Sequence, residues 1–393
     1  MVPIVRMVAS RLGSLACAVA VGACGDGSSA VTMTDAVRAD TSVDEASLSE
    51  DASVEDATGD VTTAPPFGAP IGALTDTWTW VDFPDSECDD GTPTGIGIYP
   101  SGASDNVLVF LNGGGACWDY ETCVVLNTST HGPYGASQFS AVSSGNLAGT
   151  ILDHTDASNP FADYSDIFIP YCTGDLHAGD AITTYTSDAG SQTLHHEGHA
   201  NVLAYLARLA ATFPTPGQIA VTGSSAGGGG ALFNYASFRQ YWPLTPMILV
   251  DDSLPLLEGD AIPADTRAAW YQSWNLGPLV DPICGEGCRT DLSLYMSAIA
   301  TRYPADRMAL LSSEQDSTIA AYYQLSGSDF QTDLSALAAD VLDPLDNFQY
   351  FFVTGSSHTM LAAPASFVAA GTPLWTWLAA QTTGELAWAS SGP

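Results

Sequence analysis

Six short apolar runs recur along most of the chain, at 107–111 (Val-Leu-Val-Phe-Leu), 166–171, 219–222, 247–250, 308–311 and 348–353. Each is too short to bury a helical stripe and is bounded by turn formers, so each predicts a β-strand. The runs are continuous rather than alternating, the pattern of strands covered on both faces, as in a parallel sheet. A different period separates them. Across 201–213, Val202, Leu203, Leu206, Leu209, Ala210 and Phe213 mark one side of a helix. Strands alternating with helices predict an α/β fold of one domain, with a mostly parallel central sheet flanked by helices and a site at the strands' C-terminal ends.

This texture begins only at Phe67. Residues 1–23 place Arg6 and Arg11 before a short apolar stretch and small residues, the pattern of an export signal. Val21-Gly22-Ala23-Cys24 is similar to a bacterial lipobox, so Cys24 is the expected lipidation site. Residues 24–66 are acidic and polar with no aromatic before the domain, and predict a disordered tether. The expected organisation is therefore signal 1–23, tether 24–66 and catalytic domain 67–393, in an exported protein that is either a cell-envelope lipoprotein or secreted. Any membrane association would run through the lipid alone, and a monomer is expected.

Composition narrows the partners. Forty-four acidic residues face nine basic ones, for a formal charge of −35, and every basic residue is arginine. Nucleic acid is excluded, because its binding depends on neutralising phosphates with Lys and Arg. A polyanionic substrate is disfavoured for the same reason. Export makes the cysteines candidates for disulfides. With Cys17 in the signal and Cys24 lipidated, Cys88, Cys117, Cys123, Cys172, Cys284 and Cys288 remain. The short spacings favour Cys117 with Cys123 and Cys284 with Cys288, although six cysteines allow about 15 connectivities.

The chemistry is concentrated where the apolar runs end. Gly223-Ser224-Ser225-Ala226-Gly227 fits G-x-S-x-G, the tight strand-to-helix turn that exposes a nucleophilic serine, here Ser225. Ser224 falls on the variable position and needs no role, and a helix is predicted over 231–238. A serine needs a base, and the base an orienting acid, in the order Ser, acid, His. His358, after the last run, is the only histidine beyond Ser225. Asp316 follows the preceding run and is the preferred acid over Asp251 or Asp252, which end "LVDDS"; Glu314 is a neighbouring decoy. Asn112-Gly113-Gly114-Gly115 after the first run offers N–H groups to an oxyanion, and Ala226 offers another. No lysine follows those glycines, which excludes a phosphate-binding P-loop. "HHEGH" at 195–199 carries its glutamate at the wrong spacing for H-E-x-x-H, so no metal is expected and the segment reads as leading into a helix.

Together these segments resemble the pectin acetylesterase and Notum family of serine esterases. The resemblance runs from Trp78 to His358 through "CDDGTPTGIGIY", "FLNGGGACWDYETC", "IFIPYCTGDLHAGD" and "GSSAGG". It implies an α/β-hydrolase-like carboxylic ester hydrolase without a cofactor, a triad of Ser225, Asp316 and His358, an oxyanion hole from Gly114, Gly115 and Ala226, and a Cys88–Cys172 disulfide. Where the family carries Glu-Gly-Gly-Trp, this chain has Asn112-Gly113-Gly114-Gly115, which removes a bulky side chain beside the acyl pocket. With the lysine-free surface, the expected substrate is a short, acetyl-type ester on a neutral or highly esterified polysaccharide. The alternatives are a catalytically silent protein binding glycans or a partner through exposed-type aromatics such as Trp118, Trp270 and Trp274, and a hydrolase of longer lipid acyl esters or polyesters.

Overall fold

A computed structural model describes residues 68–145, 147–384 and 387–392. The expected signal, Cys24 and the whole of the tether lie outside the described residues. Twelve strands lie among the described residues, two of them the short antiparallel pair Val368–Ala369 and Thr372–Pro373, and the other ten organise the rest: β1 (Thr79–Glu87), β2 (Pro93–Tyr99), β3 (Val107–Leu111), β4 (Ser165–Ile169), β5 (Ala181–Ser187), β6 (Gly190–His196), β7 (Ile219–Ser224), β8 (Met247–Asp252), β9 (Arg307–Ser313) and β10 (Phe348–Val353). Eight of them form one sheet in the order β1-β2-β4-β3-β7-β8-β9-β10. The β1–β2 and β2–β4 pairings are antiparallel and every other pairing in that sheet is parallel. β5 and β6 make a separate antiparallel hairpin.

Period-two alternation divides the apolar runs between two cores. Val109, Val221, Leu249 and Leu310 face one, beneath the helices Gly198–Thr212 and Ala226–Tyr241; Leu108, Ala220, Ile248 and Leu311 face the other, with Trp377 and Leu378 of the helix Leu374–Thr383. All six apolar runs are strands of this sheet. The second ends at Ile169 rather than 171, because Pro170 has no N–H to continue the ladder.

The helix after β7 begins at Ala226, five residues earlier than predicted, and takes in Gly227, Gly228, Gly229 and Gly230. Glycine in a helix interior costs about 1 kcal/mol relative to alanine, so packing must require it. A Cβ on Gly227 would meet the Leu111 carbonyl oxygen at 1.9 Å, one on Gly228 the Asp251 Oδ1 at 2.3 Å, and one on Gly229 the Leu254 Cδ2 at 2.0 Å. Only bare backbone lets this helix start so close to β3 and β8.

Disulfides join Cys88 to Cys172, Cys117 to Cys123 and Cys284 to Cys288. The first ties the end of β1 to the loop after β4. The second closes the loop that follows the glycines of residues 113–115. Among the described residues, no helix is long and apolar enough to cross a membrane.

Candidate active site

The strand-to-helix turn holds Ser225 at φ 58°, ψ −124°, a conformation that side chains other than glycine rarely adopt. β7 enters it and the helix Ala226–Tyr241 leaves it, which gives the G-x-S-x-G sequence the context its chemistry needs. Two further residues beside this turn also lie at positive φ, Ser253 at 75° and Thr359 at 63°. Strain of this kind persists only where surrounding bonds over-determine the backbone, and here those bonds are specific.

Asp316 caps the short helix Ser317–Tyr322, its Oδ1 accepting from the Thr318 and Ile319 N–H groups at 2.9 and 3.1 Å. Its other oxygen accepts from His358 Nδ1–H at 2.8 Å. The carboxylate is fully buried, whereas the imidazole is 17% exposed. Backbone bonds from Glu314 to Val353 and from Gln315 to Gly355 zip the loop after β9 to the loop after β10. His358 Nε2 is buried and has no hydrogen-bond partner among the described residues. With Nδ1 committed to Asp316, Nε2 is the nitrogen left to accept a proton, and catalytic contacts often tighten only once substrate binds.

Asp251 and Asp252 do not touch His358 by hydrogen bond. Asp251 is fully buried at the end of β8, where burial pushes its carboxyl well up, and its Oδ1 accepts from the Leu254 N–H at 3.0 Å. Asp252 is also fully buried and serves as a joint. Its carboxylate accepts from Ser224 Oγ at 2.7 Å, from the Met360 and Leu361 N–H groups at 2.9 Å, and from Ser253 Oγ at 3.1 Å. Its carbonyl accepts from the Ser225 N–H at 2.7 Å. Burial raises its pKa, against the lowering effect of the Ser224 bond and the backbone donors. One residue thus ties the serine turn to the segment directly after His358. Ser224, which the motif leaves without a role, is one of its partners, and no local pattern could signal a bond to a strand end 28 residues away.

Gly115, Ser225 and Ala226 line one cavity of about 20 Å³, together with Ala116, Leu176, Leu254, Trp270, Ile319, Tyr322 and Tyr323. Gly114 does not line it; its carbonyl accepts from the Thr130 N–H at 2.6 Å, fixing the loop from behind. As the first residue of its helix, Ala226 has an N–H with no intrahelical partner, at the positive end of the helix dipole. The glycine loop is anchored through His177, whose Nε2–H donates to the Asn112 carbonyl at 2.8 Å. Burial lowers the His177 pKa, which keeps it neutral. Asp175 holds that turn, accepting from Thr173 Oγ1 and the N–H groups of His177, Gly179 and Gly198. Asp175 and His177 match no catalytic motif; their one signal in the sequence is the polar cluster D-L-H-A-G-D beyond the C-terminal end of β4.

The histidines at 195–199 do not converge. His195 pairs with Glu87 at 2.6 Å; His196 donates to the Thr173 carbonyl and accepts from the Tyr185 hydroxyl, both at 2.8 Å; His199 meets Asn234 Oδ1 at 2.7 Å. β6 ends at His196 and the helix starts at Gly198, so the segment does lead into a helix. Cys117, Cys123 and His196 come together as ligand-type side chains, but the two sulfurs are bonded to each other. Trp270 and Trp274 are not exposed aromatics: they are 2% and 0% exposed and stack on one another at 5.1 Å. They form a cavity wall and core rather than a docking face.

A pectinacetylesterase family model matches residues 79–253. That span covers the glycine loop and the serine turn, and stops short of Asp316 and His358. Notum, a palmitoleoyl-protein carboxylesterase of Schmidtea mediterranea, is 33% identical over 160 residues, 39% of this chain and 29% of that protein. The inactive palmitoleoyl-protein carboxylesterase notum1b of Danio rerio is 33% identical over 106 residues, 27% of this chain and 73% of that protein. The chain therefore spans well under half the length of the first of these relatives. Among solved structures, the Wnt deacylase Notum from Drosophila shares the fold at a TM-score of 0.58 and 17% identity, over 80% of this chain and 97% of that one.

Proposed function

The chain belongs to the pectinacetylesterase and Notum family, and from that premise we propose that it is a carboxylic ester hydrolase working through Ser225, His358 and Asp316. Ser225 Oγ attacks the ester carbonyl while His358 Nε2 takes its proton. Asp316 fixes the imidazole tautomer and stabilises the imidazolium that forms. The carbonyl oxygen, now negative, is met by the N–H groups of Gly114, Gly115 and Ala226. Collapse expels the alcohol, which receives the proton from His358, and leaves an acyl-serine. Water, deprotonated by the same histidine, releases the carboxylic acid and restores the serine. No cofactor enters the sequence.

The observation that carries this reading is the Asp316–His358 bond of 2.8 Å, because it leaves Nε2 as the basic nitrogen on the strand end that Asp252 ties to the serine turn. The acyl group is short. A cavity of about 20 Å³ at Ser225 is on the order of the space that a single water requires, which suits a methyl group and not a lipid chain. The carrier is a neutral or highly esterified polysaccharide, in keeping with a formal charge of −35. Three disulfides support export, with 1–23 as signal, Cys24 as lipid acceptor and 24–66 as tether on a monomeric domain.

A second reading, hydrolysis of long acyl esters, is favoured by the names of the relatives, which are palmitoleoyl-protein carboxylesterases. A third, a silent binding protein, has a counterpart in the relative described as inactive. Turnover of p-nitrophenyl acetate, butyrate and octanoate separates all three. The proposal expects acetate to be preferred and activity to vanish in Ser225→Ala and His358→Ala. No turnover of any ester would support the silent protein, and a preference for octanoate the lipid hydrolase.

A further inference from the structure

The loss of a bulky residue from the glycine loop suggests a roomier acyl pocket, yet the cavity is small. Tyr322 accounts for the difference. It sits on the helix that Asp316 caps and lines the cavity with Ile319 from the same helix. Its hydroxyl donates to the Thr128 carbonyl and accepts from the Ala116 N–H at 3.4 Å, so the phenol head is fastened to the strip of chain that backs the glycine loop. Gly115 lies at φ 78°, and a Cβ on it would lie 2.1 Å from the Thr128 carbonyl oxygen and 2.5 Å from that hydroxyl oxygen. The latch between Tyr322 and Thr128 therefore fills the space a side chain at 115 would need. Trp118 lies 6.4 Å from the Tyr322 ring and 5.9 Å from Trp270, edge-on to the latter, which continues the wall in aromatic contact.

We propose that Tyr322 is the specificity-determining residue of the acyl pocket: its ring, latched to Thr128 and admitted by Gly115, stops the pocket at about the length of an acetyl group. The inference rests on the serine-esterase reading, since only then is this cavity the acyl pocket. In chemical terms, the substrate's acyl methyl would abut the ring, and each added methylene would have to displace it. Exclusion of a methylene by a tight pocket is worth about 10–200-fold in kcat/KM.

The test measures kcat/KM for p-nitrophenyl acetate, butyrate and octanoate in the wild type, Tyr322→Ala and Tyr322→Leu. Truncation is expected to lower the acetate-to-butyrate ratio by ~10-fold or more, with leucine giving a smaller change in the same direction and serving in its place if the alanine variant does not fold. Folded variants that turn over acetate with an unchanged ratio would overturn the role of Tyr322 while leaving the hydrolase reading intact. A wild type that cleaves none of the three esters would instead remove the hydrolase reading on which the inference stands, and one that cleaves octanoate but not acetate would overturn the short pocket while keeping that reading.

Discussion

Replacing Asp316 by asparagine separates orientation of the base from every other role of that residue. The two carboxylate oxygens have divided duties: Oδ1 accepts from the Thr318 and Ile319 N–H groups, and Oδ2 from His358 Nδ1–H. In Asp316→Asn the helix cap demands an acceptor, so the amide oxygen must take the Oδ1 place and the NH₂ must face the imidazole. Asparagine caps helices about as well as aspartate, and the melting temperature should move by less than ~1 kcal/mol of stability would imply. The imidazole fares differently. Facing a donor, Nδ1 must become the acceptor, which puts the proton on Nε2 and leaves nothing to receive the proton of Ser225. An error of tautomer with intact geometry costs about 10⁴ in kcat, about 5 kcal/mol of transition-state stabilisation at 1.36 kcal/mol per decade. The assay is kcat for p-nitrophenyl acetate beside a thermal melt of the same sample. A variant that keeps its activity within about tenfold while folded, a loss of no more than ~1.4 kcal/mol, would refute the role of Asp316.

Asp252→Asn should behave in the opposite way: whichever way the amide turns, its NH₂ meets a donor from Ser224, Met360 or Leu361, so stability should fall by about 1–3 kcal/mol with a smaller loss of kcat than Asp316→Asn. A loss of activity as deep as that of Asp316→Asn, with the latter near wild type, would make Asp252 the acid. Away from the site, Asp166 in β4 pairs with His154 at 2.9 Å. Burial pushes the Asp166 carboxyl up to about 6. The His154 pKa is raised as well: burial lowers it, and the Asp166 bond and charge with the Ala162 carbonyl outweigh that. Both folded-state values exceed the unfolded ones, so both groups give stability that is complete at acid pH and lost as pH rises, Asp166 between about 4 and 6 and His154 above about 6.5. Urea melts should therefore show Asp166→Asn gaining on the wild type from pH 4 to pH 8, by about 2 kcal/mol from the Asp166 change alone; a pH-independent difference would contradict the shifts.

What could be read from the chain, and what could not, follows from how local each signal is. The six runs that became β3, β4 and β7 to β10 were visible because strands buried on both faces are apolar throughout. β1 and β2 escaped because they are the edge pair: Pro84 interrupts one, and Gly95 and Gly97 leave the other with few side chains, the reason for Gly97 being the Phe139 ring, 2.2 Å from where a Cβ would lie. The β5–β6 hairpin is threonine-rich and half exposed, and so reads as loop. In the candidate site, the pairing of Asp316 with His358 and the place of Ser225 on a strand-to-helix turn were legible from their order after successive strands. Asp252 as a joint and Tyr322 as a wall were not, because the partners that give them those roles lie 108 or more residues away in the loop after His358 and the strip from Ala116 to Thr128. Distant contacts of that kind are set by the fold and leave no periodic trace.

The central claim, that Ser225 is a nucleophile activated by His358, is tested most directly by reaction with a fluorophosphonate followed by peptide mass spectrometry. The account expects one adduct per chain, on the peptide at Ser225, in step with complete loss of p-nitrophenyl acetate turnover, and no adduct in His358→Ala. Labelling at Ser224 or elsewhere, or esterase activity that survives full modification of Ser225, would contradict it.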